Sequence, residues 1–183
     1  SWRKNKLSIV KPAKALSAEA QREEKIETDA GVLAAWYSIQ ISLIGTKVWR
    51  RLHVPDSLTL AQVHDLIQLA MGWSSERLHG FVADGSVYSR EGDGIDERHI
   101  SIADLVAAGK RELEYDYDYS AEWEFKVRIL HEIPSPVEKH IHCAAGECAA
   151  PPENIGGALR WRRLIQSSNR TDSPEGQEAE RLL

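Results

Sequence analysis

Hydrophobic and polar residues alternate along two neighbouring stretches, the first beginning at Ala35 and the second at Val48. In "AWYSIQISLIG" one face would carry Trp36, Ser38 and Gln40, and the other Tyr37, Ile39, Ile41 and Leu43. A period of two residues is typical of a β-strand with one buried face. The stretch "VWRRLHVP" alternates in the same way and ends at Pro55, so the two stretches predict a β-hairpin.

The next stretch changes to helical spacing. In "DSLTLAQVHDLIQLAMGW" the apolar residues recur every three or four positions, at Leu60, Val63, Leu66, Ile67 and Ala70. Thr59 can cap the start of this helix and Gly72 can end it. His64 lies beside the apolar stripe, and we interpret it as a histidine at the edge of the core with its hydrogen bonds satisfied.

Shorter elements follow the helix. "LHGFVADGSVYSR" predicts two short strands joined by a tight turn at Asp84-Gly85. The polar, glycine-bearing "REGDGIDERH" predicts a loop, and Ser101 predicts the start of a short helix that ends at Gly109. The segment from Ile133 to Trp161 predicts a long loop.

The stretch "YDYDYSAEWEF" alternates aromatic residues with acids and predicts a second hairpin. The pairs on its apolar face would be Leu113–Val127, Tyr115–Phe125 and Tyr117–Trp123. The pairs on its other face would be Glu112–Arg128 and Glu114–Lys126, which attract, and Asp116–Glu124 and Asp118–Glu122, which repel. A shift of one residue would set acids against aromatics, so burial should enforce this register.

The order β–β–α–β–β–α–β–β predicts an α+β domain, with an antiparallel-dominated mixed sheet and helices packed on one face. A hairpin followed by a helix is also a feature of β-grasp topology, which we keep as an option. Residues 1–33 would form a polar, loosely attached arm, residues 34–166 a single domain, and residues 167–183 a polar, flexible tail.

Composition narrows the class of protein. The chain has 183 residues, a net charge of −5 and two cysteines, which suits one domain that needs no disulfide framework. No apolar run approaches the roughly 18 residues that span a bilayer, and no signal peptide is visible, so we expect a cytoplasmic protein with no membrane partner. The chain begins at Ser1 rather than Met, so sequence upstream of it could be missing.

Two basic patches keep nucleic-acid binding open as an alternative. They are "RWRR" at 160–163 and the start of the chain, with Arg3, Lys4, Lys6, Lys11 and Lys14. Phosphate binding needs clustered cations rather than a basic total, although short basic tails are more often solvated ends.

Two sets of side chains could hold a metal ion. The carboxylates that could hold Mg²⁺ or Ca²⁺ are Asp116, Asp118, Glu122 and Glu124. The zinc-type ligands are His140, His142, Cys143 and Cys148. The alternatives are a solvated acidic face for the first set and a surface loop with two free thiols for the second. "PPENIGG" could be an anion-binding nest, but we favour a structural turn.

Four motifs, taken in order, resemble the Ri-plasmid ORF-three-like family, which also includes TnpR-type passenger proteins of insertion elements. They are "VWRRLHVPDSLTLAQVHDLIQLAMGW", "LHGF", "YDYDYSAEW" and "PPENIGG". The resemblance covers roughly 37–161 and implies a compact α+β domain with no established activity. Several ionisable positions of the family pattern are replaced, by Arg77, Ala121, Phe125, Ala150 and Asn154, and Ser120 stands where glycine is usual.

These observations favour a non-enzymatic binding or interaction domain of plasmid or mobile-element origin, with a protein or nucleic-acid partner. Its candidate binding residues are Trp49, Arg50, Arg51, His79, Asp118, Trp123, Glu153, Gly156 and Gly157. One alternative is a metal-dependent catalytic domain that uses the carboxylate cluster and the Cys143 loop. The other is nucleic-acid binding through the basic termini.

Overall fold

The computed structural model describes residues 34–134 and 140–167, together with Pro174 and Gln177. The predicted polar arm at 1–33, with its basic residues, lies outside the described part of the chain. Most of the predicted flexible tail lies outside it as well.

One eight-stranded sheet organises the domain, in the order β5-β4-β3-β6-β7-β1-β2-β8. The strands are β1 (Trp36–Leu43), β2 (Trp49–Pro55), β3 (His79–Ala83), β4 (Ser86–Ser89), β5 (Ile95–Asp96), β6 (Glu112–Tyr117), β7 (Trp123–Ile133) and β8 (His142–Glu147). Neighbouring strands are antiparallel except β4 and β5, which are parallel. The predicted α+β class with an antiparallel-dominated mixed sheet is confirmed.

The helices are α1 (Leu60–Met71), α2 (Ile102–Ala107) and α3 (Gly157–Ser167), with 3₁₀ turns at Glu97–His99 and Glu153–Ile155. They cover one face of the sheet, and the core lies between that face and their apolar sides. Among the described residues, no helix is long and apolar enough to span a membrane.

The start and end of α1 follow from its sequence. The Thr59 hydroxyl accepts from the backbone N–H of Gln62, and the Gln62 side chain accepts from the backbone N–H of Thr59, which makes a capping box. Gly72 ends the helix in the left-handed region, with φ of 71°. Both predicted boundaries are confirmed, and the Ser101 cap of α2 forms a second capping box with Asp104.

The hairpin β6–β7 has the predicted register, with Tyr115 opposite Phe125 and Tyr117 opposite Trp123. Strand pairing ends there, because the backbone turns into the left-handed region at Asp118 and again at Glu122, each with φ of 52°. The Asp118 carbonyl accepts from the Glu122 N–H at 2.8 Å, so these two residues close the turn instead of forming the predicted strand pair.

The predicted long loop from Ile133 to Trp161 is wrong. It contains β8, which pairs with β2 along the sheet edge, and the first half of α3. β8 is rich in small, exposed residues and has no apolar alternation, so its pairing with β2 defines it more than its own side chains do. The predicted loop "REGDGIDERH" likewise holds β5 and the 3₁₀ turn Glu97–His99.

Candidate functional site

The loop between α1 and β3 is held by the carboxylate of Glu153. Glu153 accepts hydrogen bonds from the backbone N–H and the hydroxyl of Ser74, both at 2.8 Å. The Tyr117 hydroxyl donates to the other oxygen of Glu153 at 2.5 Å. Two side chains from distant parts of the chain therefore fix where this loop lies.

Two tryptophans attach the "PPENIGG" segment to the same place. Trp73 Nε1 donates to the Pro151 carbonyl at 2.8 Å, and Trp123 Nε1 donates to the Glu153 carbonyl at 3.3 Å. Gly157, with φ of +88°, lies so close to the hairpin turn that an added Cβ would stand 2.1 Å from the Ala121 carbonyl oxygen. The segment thus acts as a clamp between the hairpin β6–β7 and the loop at 72–78.

The clamped loop presents Ser75 to a histidine of α1. His64 Nε2 lies 2.7 Å from Ser75 Oγ, and His64 Nδ1 lies 2.7 Å from the Tyr115 hydroxyl. Gln68 Nε2, one helical turn after His64, donates to the same hydroxyl at 2.9 Å. His64 is 4% exposed, so it is the satisfied core-edge histidine that its spacing indicates.

A second histidine stacks on the first. The rings of His64 and His79 have centroids 3.5 Å apart and planes within 4° of parallel. His79 Nε2 lies 3.0 and 3.1 Å from the two oxygens of Glu97, a carboxylate that is 0% exposed. The Arg90 guanidinium is 3.8 Å from Glu97 and more than half exposed, so the buried carboxylate faces a histidine and a cation.

The side chains of His64, Ser75, His79 and Arg90 border a cavity of about 440 Å³, which we call the histidine pocket. Its lining residues are His64, Asp65, Ser75, Glu76, Arg77, Leu78, His79, Arg90, Glu91, Gly92 and Tyr119. Cavities of a few hundred Å³ with a few converging polar groups are typical of small-molecule sites.

Burial favours the neutral form of His64, Tyr115 and Tyr117. Burial, and then the charge of His79, lower the pKa of His64 to about 4. Burial raises the pKa of Tyr115 far above its ordinary value, and burial together with Glu153 raises the pKa of Tyr117 to about 12. Burial alone would raise the pKa of Glu153, but hydrogen bonds from Tyr117 and Ser74 outweigh it and lower that pKa.

The predicted binding residues divide into two groups. His79 lines the histidine pocket, Trp123 and Glu153 support its loop, and Asp118 lies 3.8 Å from Arg77 on the rim. Gly156 and Gly157 belong to the clamp, where both have positive φ.

The other group lies on β2, next to the β8 edge. Trp49 Nε1 donates to Glu147 at 3.0 Å, Arg50 donates to the Glu147 carbonyl at 3.0 Å, and Arg51 donates to Gln40 at 3.0 Å. The Arg51 guanidinium also lies 5.4 Å from the centre of the Trp49 ring. Partner binding by Trp49, Arg50 and Arg51 stays a prediction.

Among the four acids of the predicted carboxylate set, Glu122 and Glu124 are exposed, while Asp116 and Asp118 are partly buried. Asp116, Glu122 and Glu124 border a small cavity of about 180 Å³ beside the turn, and Asp118 accepts from the Ser120 hydroxyl instead. Partial burial, followed by repulsion from Glu124 and Glu114, raises the pKa of Asp116.

The predicted zinc-type ligands lie in and beside β8. His142 and Cys143 begin that strand, His140 precedes it, and Cys148 follows it. The thiols of Cys143 and Cys148 are both exposed. Across 34–134 and 140–167, no three His, Cys, Asp or Glu side chains are grouped so as to hold a metal ion. Metal binding by either set stays a prediction.

Sequence reasoning did not assign Ser75, Gln68, Glu97 or Tyr115 to a site. Ser75 and Glu97 lie in polar stretches with no pattern, while Tyr115 is part of an aromatic alternation that indicates a core. One signal was available: Ser75 lies between the helix-ending Gly72 and His79, a short connection that must bring its side chain back toward α1.

Comparison with known proteins places the chain among relatives of undescribed activity. The sequence profile described as plasmid pRiA4b ORF-3-like protein matches residues 35–183. The protein described as uncharacterized protein y4hQ, from Sinorhizobium fredii (strain NBRC 101917 / NGR234), is 34% identical over 128 residues. That match covers 66% of this chain and 65% of the relative, so the chain spans slightly less than two thirds of the relative's length.

One solved structure is similar in fold. It is the crystal structure of a protein of unknown function, MM3350, from Methanosarcina mazei Go1. The TM-score is 0.72 and the identity 27%, with 80% of this chain and 88% of that chain covered. The likeness therefore extends over most of the chain rather than over one motif.

Proposed function

The chain belongs to the plasmid pRiA4b ORF-3-like protein family, and we propose that its domain binds a small molecule bearing a carboxylate group in the histidine pocket. The observation that carries the proposal is the buried array of Glu97, His79 and His64 beside a cavity of about 440 Å³. A carboxylate with no exposure is costly to desolvate, and the histidine that holds it lines the cavity wall.

The rim of the pocket supplies the cations for an anionic ligand. Arg77 and Arg90 each lie 3.8 Å from a carboxylate oxygen, of Asp118 and Glu97 respectively, and each is about half exposed. At that distance neither guanidinium makes a hydrogen bond in its ion pair, so its donors stay available. A guanidinium fork matches a carboxylate in two parallel hydrogen bonds, which favours this group over a neutral one.

Three acids on the same rim limit the charge of the ligand. Asp65, Glu76 and Glu91 also line the pocket, and all three are exposed. They would repel a multiply charged anion, whereas a single carboxylate can lie against Arg77 and Arg90. This balance supports a monocarboxylate rather than a polyphosphate as the ligand.

Calorimetric titration of the full chain with butyrate and benzoate tests the proposal. We expect saturable binding of at least one of them, weakened about tenfold or more by Arg90→Gln, because a hydrogen bond to a charged group contributes about 1.5–3 kcal/mol. Arg128→Gln is the matched control, since Arg128 pairs with Glu112 on the opposite face of the hairpin. Heat-free titrations with both acids, or equal weakening by Arg128→Gln, would overturn the proposal.

The predicted surface functions are separate from this pocket. Arg160, Arg162 and Arg163 are exposed on α3, while Trp161 between them is buried, so "RWRR" presents three cations on a helix surface. Nucleic-acid binding there stays a prediction, and affinity for a DNA duplex that does not fall with rising salt would contradict it.

A further inference from the structure

Ser75 combines a hydrogen-bonded hydroxyl with an unusual backbone. Its φ is +62°, in the left-handed region that residues other than glycine rarely adopt. Such a backbone costs about 1–3 kcal/mol and persists only where its surroundings fix it. Here the Ser74–Glu153 and Tyr117–Glu153 hydrogen bonds fix it, and the side chain of Ser75 lines the pocket.

We propose that Ser75 is a nucleophile that accepts the acyl group of small carboxylic esters, with His64 as its base. The inference rests on the proposed function, because the acid released from such an ester is the carboxylate that the pocket would bind. The two atoms that must exchange a proton, Ser75 Oγ and His64 Nε2, lie 2.7 Å apart. That distance is within the reach required of a nucleophile and its base.

The step balances with water as the second reactant. Ser75 Oγ bonds to the ester carbonyl carbon while its proton moves to His64 Nε2. The bond from that carbon to the alcohol oxygen then breaks, and the alcohol leaves with the proton from His64. Water next gives a proton to His64 Nε2 and attacks the same carbon, and the acid is released as Ser75 recovers its proton.

His64 can act as a base only when its Nε2 carries no proton, and its neighbours favour that state. Its pKa of about 4 keeps the ring neutral near pH 7. The ring proton then belongs on Nδ1, which would donate to the Tyr115 hydroxyl 2.7 Å away. Gln68 Oε1 is buried with no partner among the described residues, and turning that amide end for end would let it accept from Tyr115.

Glu97 provides the negative charge that a protonated His64 needs. When Ser75 loses its proton, His64 becomes an imidazolium, and the charge of Glu97 favours that form. The stacked His79 separates the two groups and holds Glu97 through two contacts of about 3 Å. Glu97 and His79 are positioning residues, because they act through His64 rather than on the substrate.

Covalent labelling of the full chain tests the nucleophile. We expect a fluorophosphonate probe, which traps activated serines, to add one adduct per chain at Ser75, as located by mass spectrometry. Ser75→Ala should lose the adduct completely. Ser42→Ala, on the open face of the sheet, should keep it, and thermal unfolding of both variants establishes that they are folded. A wild-type chain without an adduct, or with an adduct on another serine, would overturn the inference.

Two further results separate this inference from the proposed function. Benzoate binding without labelling would leave the pocket as a binding site and remove the nucleophile. Labelling at Ser75 without benzoate binding would keep the nucleophile and remove the carboxylate site. Tyr115→Phe should lower the labelling rate at saturating probe about tenfold and weaken benzoate binding by a smaller factor, and an equal change in both would assign Tyr115 a structural role.

Discussion

The solvent face of the hairpin β6–β7 carries charged side chains, and its buried face carries tyrosine hydroxyls. The tyrosines, rather than the acids, contact the candidate site. On the solvent face, Glu112 pairs with Lys126 and Arg128 at 2.8 and 2.9 Å, near the end of the hairpin away from the turn. On the buried face, the hydroxyls of Tyr115 and Tyr117 reach His64 and Glu153. The Glu112 ion pairs remain in water, while two hydroxyls in an aromatic row hold the candidate site together.

The two faces differ in how much stability is lost when a polar group is removed. An exposed ion pair exchanges its partner for water, so it contributes little to stability. A buried hydroxyl that satisfies a carboxylate or a histidine leaves an unpaired buried group when it is removed.

Gly157→Ala should be the most destabilising change. The added Cβ would meet the Ala121 carbonyl oxygen at 2.1 Å, at a φ of +88° that alanine also resists, so we expect a loss of about 3 kcal/mol or more. Gly109→Ala is the matched control. Its φ is +74° but no heavy atom lies within 4 Å, so it should cost only about 1 kcal/mol. Urea unfolding measures both, and equal losses would contradict the clamp.

Tyr117→Phe should cost about 2 kcal/mol, because it leaves the Glu153 carboxylate without its tyrosine donor. Tyr119→Phe is the control, at a position two residues beyond the end of β6. Its side chain is 57% exposed, so the change should stay within about 0.5 kcal/mol. If the two variants unfold at the same urea concentration, the buried hydroxyl does not support the loop.

Stability should depend on pH through His64. Its pKa is about 4 when folded and 6.5 when unfolded, so between these values the unfolded chain binds more protons. The free energy of unfolding should therefore fall as the pH falls from about 6.5 to about 4. His64→Gln should remove this part of the slope, whereas His131→Gln, at an exposed position on β7, should keep it. An unchanged slope in His64→Gln would contradict the neutral, buried histidine.

The solvent face should give the smallest effect, and with the opposite sign. Partial burial, and then repulsion from Glu124 and Glu114, raise the pKa of Asp116, so we expect Asp116→Asn to stabilise the fold by less than about 0.5 kcal/mol. The gain should shrink as salt is added, because these charges face water. A loss above 1 kcal/mol would mean that the acidic face has a structural or ligand-binding task after all.

Local pattern was sufficient for the elements that bury a regular face. The register of β6–β7, the caps of α1 and the turn at Asp84-Gly85 all follow from periodicity and turn chemistry. β8 and β5 do not, because they are defined by pairing with β2 and β4 and carry no apolar alternation of their own. The helix α3 was not predicted, because its arginines obscure the apolar pattern, although Ala158, Trp161 and Leu164 recur at helical spacing.

The candidate site was less accessible to prediction than the fold. His79 and Glu153 were identified through the family resemblance, yet their partners Glu97 and Ser74 lie 18 and 79 residues away along the chain. Such contacts depend on strand order, which no local pattern encodes. Tyr115 shows the limit most clearly, since its alternation correctly predicted a buried ring but carried no sign that its hydroxyl meets a histidine.

The candidate site depends most directly on the protonation state of the His64 ring. Nitrogen NMR of the seven histidines across a pH series, with the His64 signals assigned by comparison with His64→Gln, measures it. We expect His64 to stay neutral until the pH approaches about 4, with its two ring nitrogens distinct. A His64 ring that protonates near pH 6.5, as an exposed histidine does, would contradict the buried network on which the histidine pocket rests.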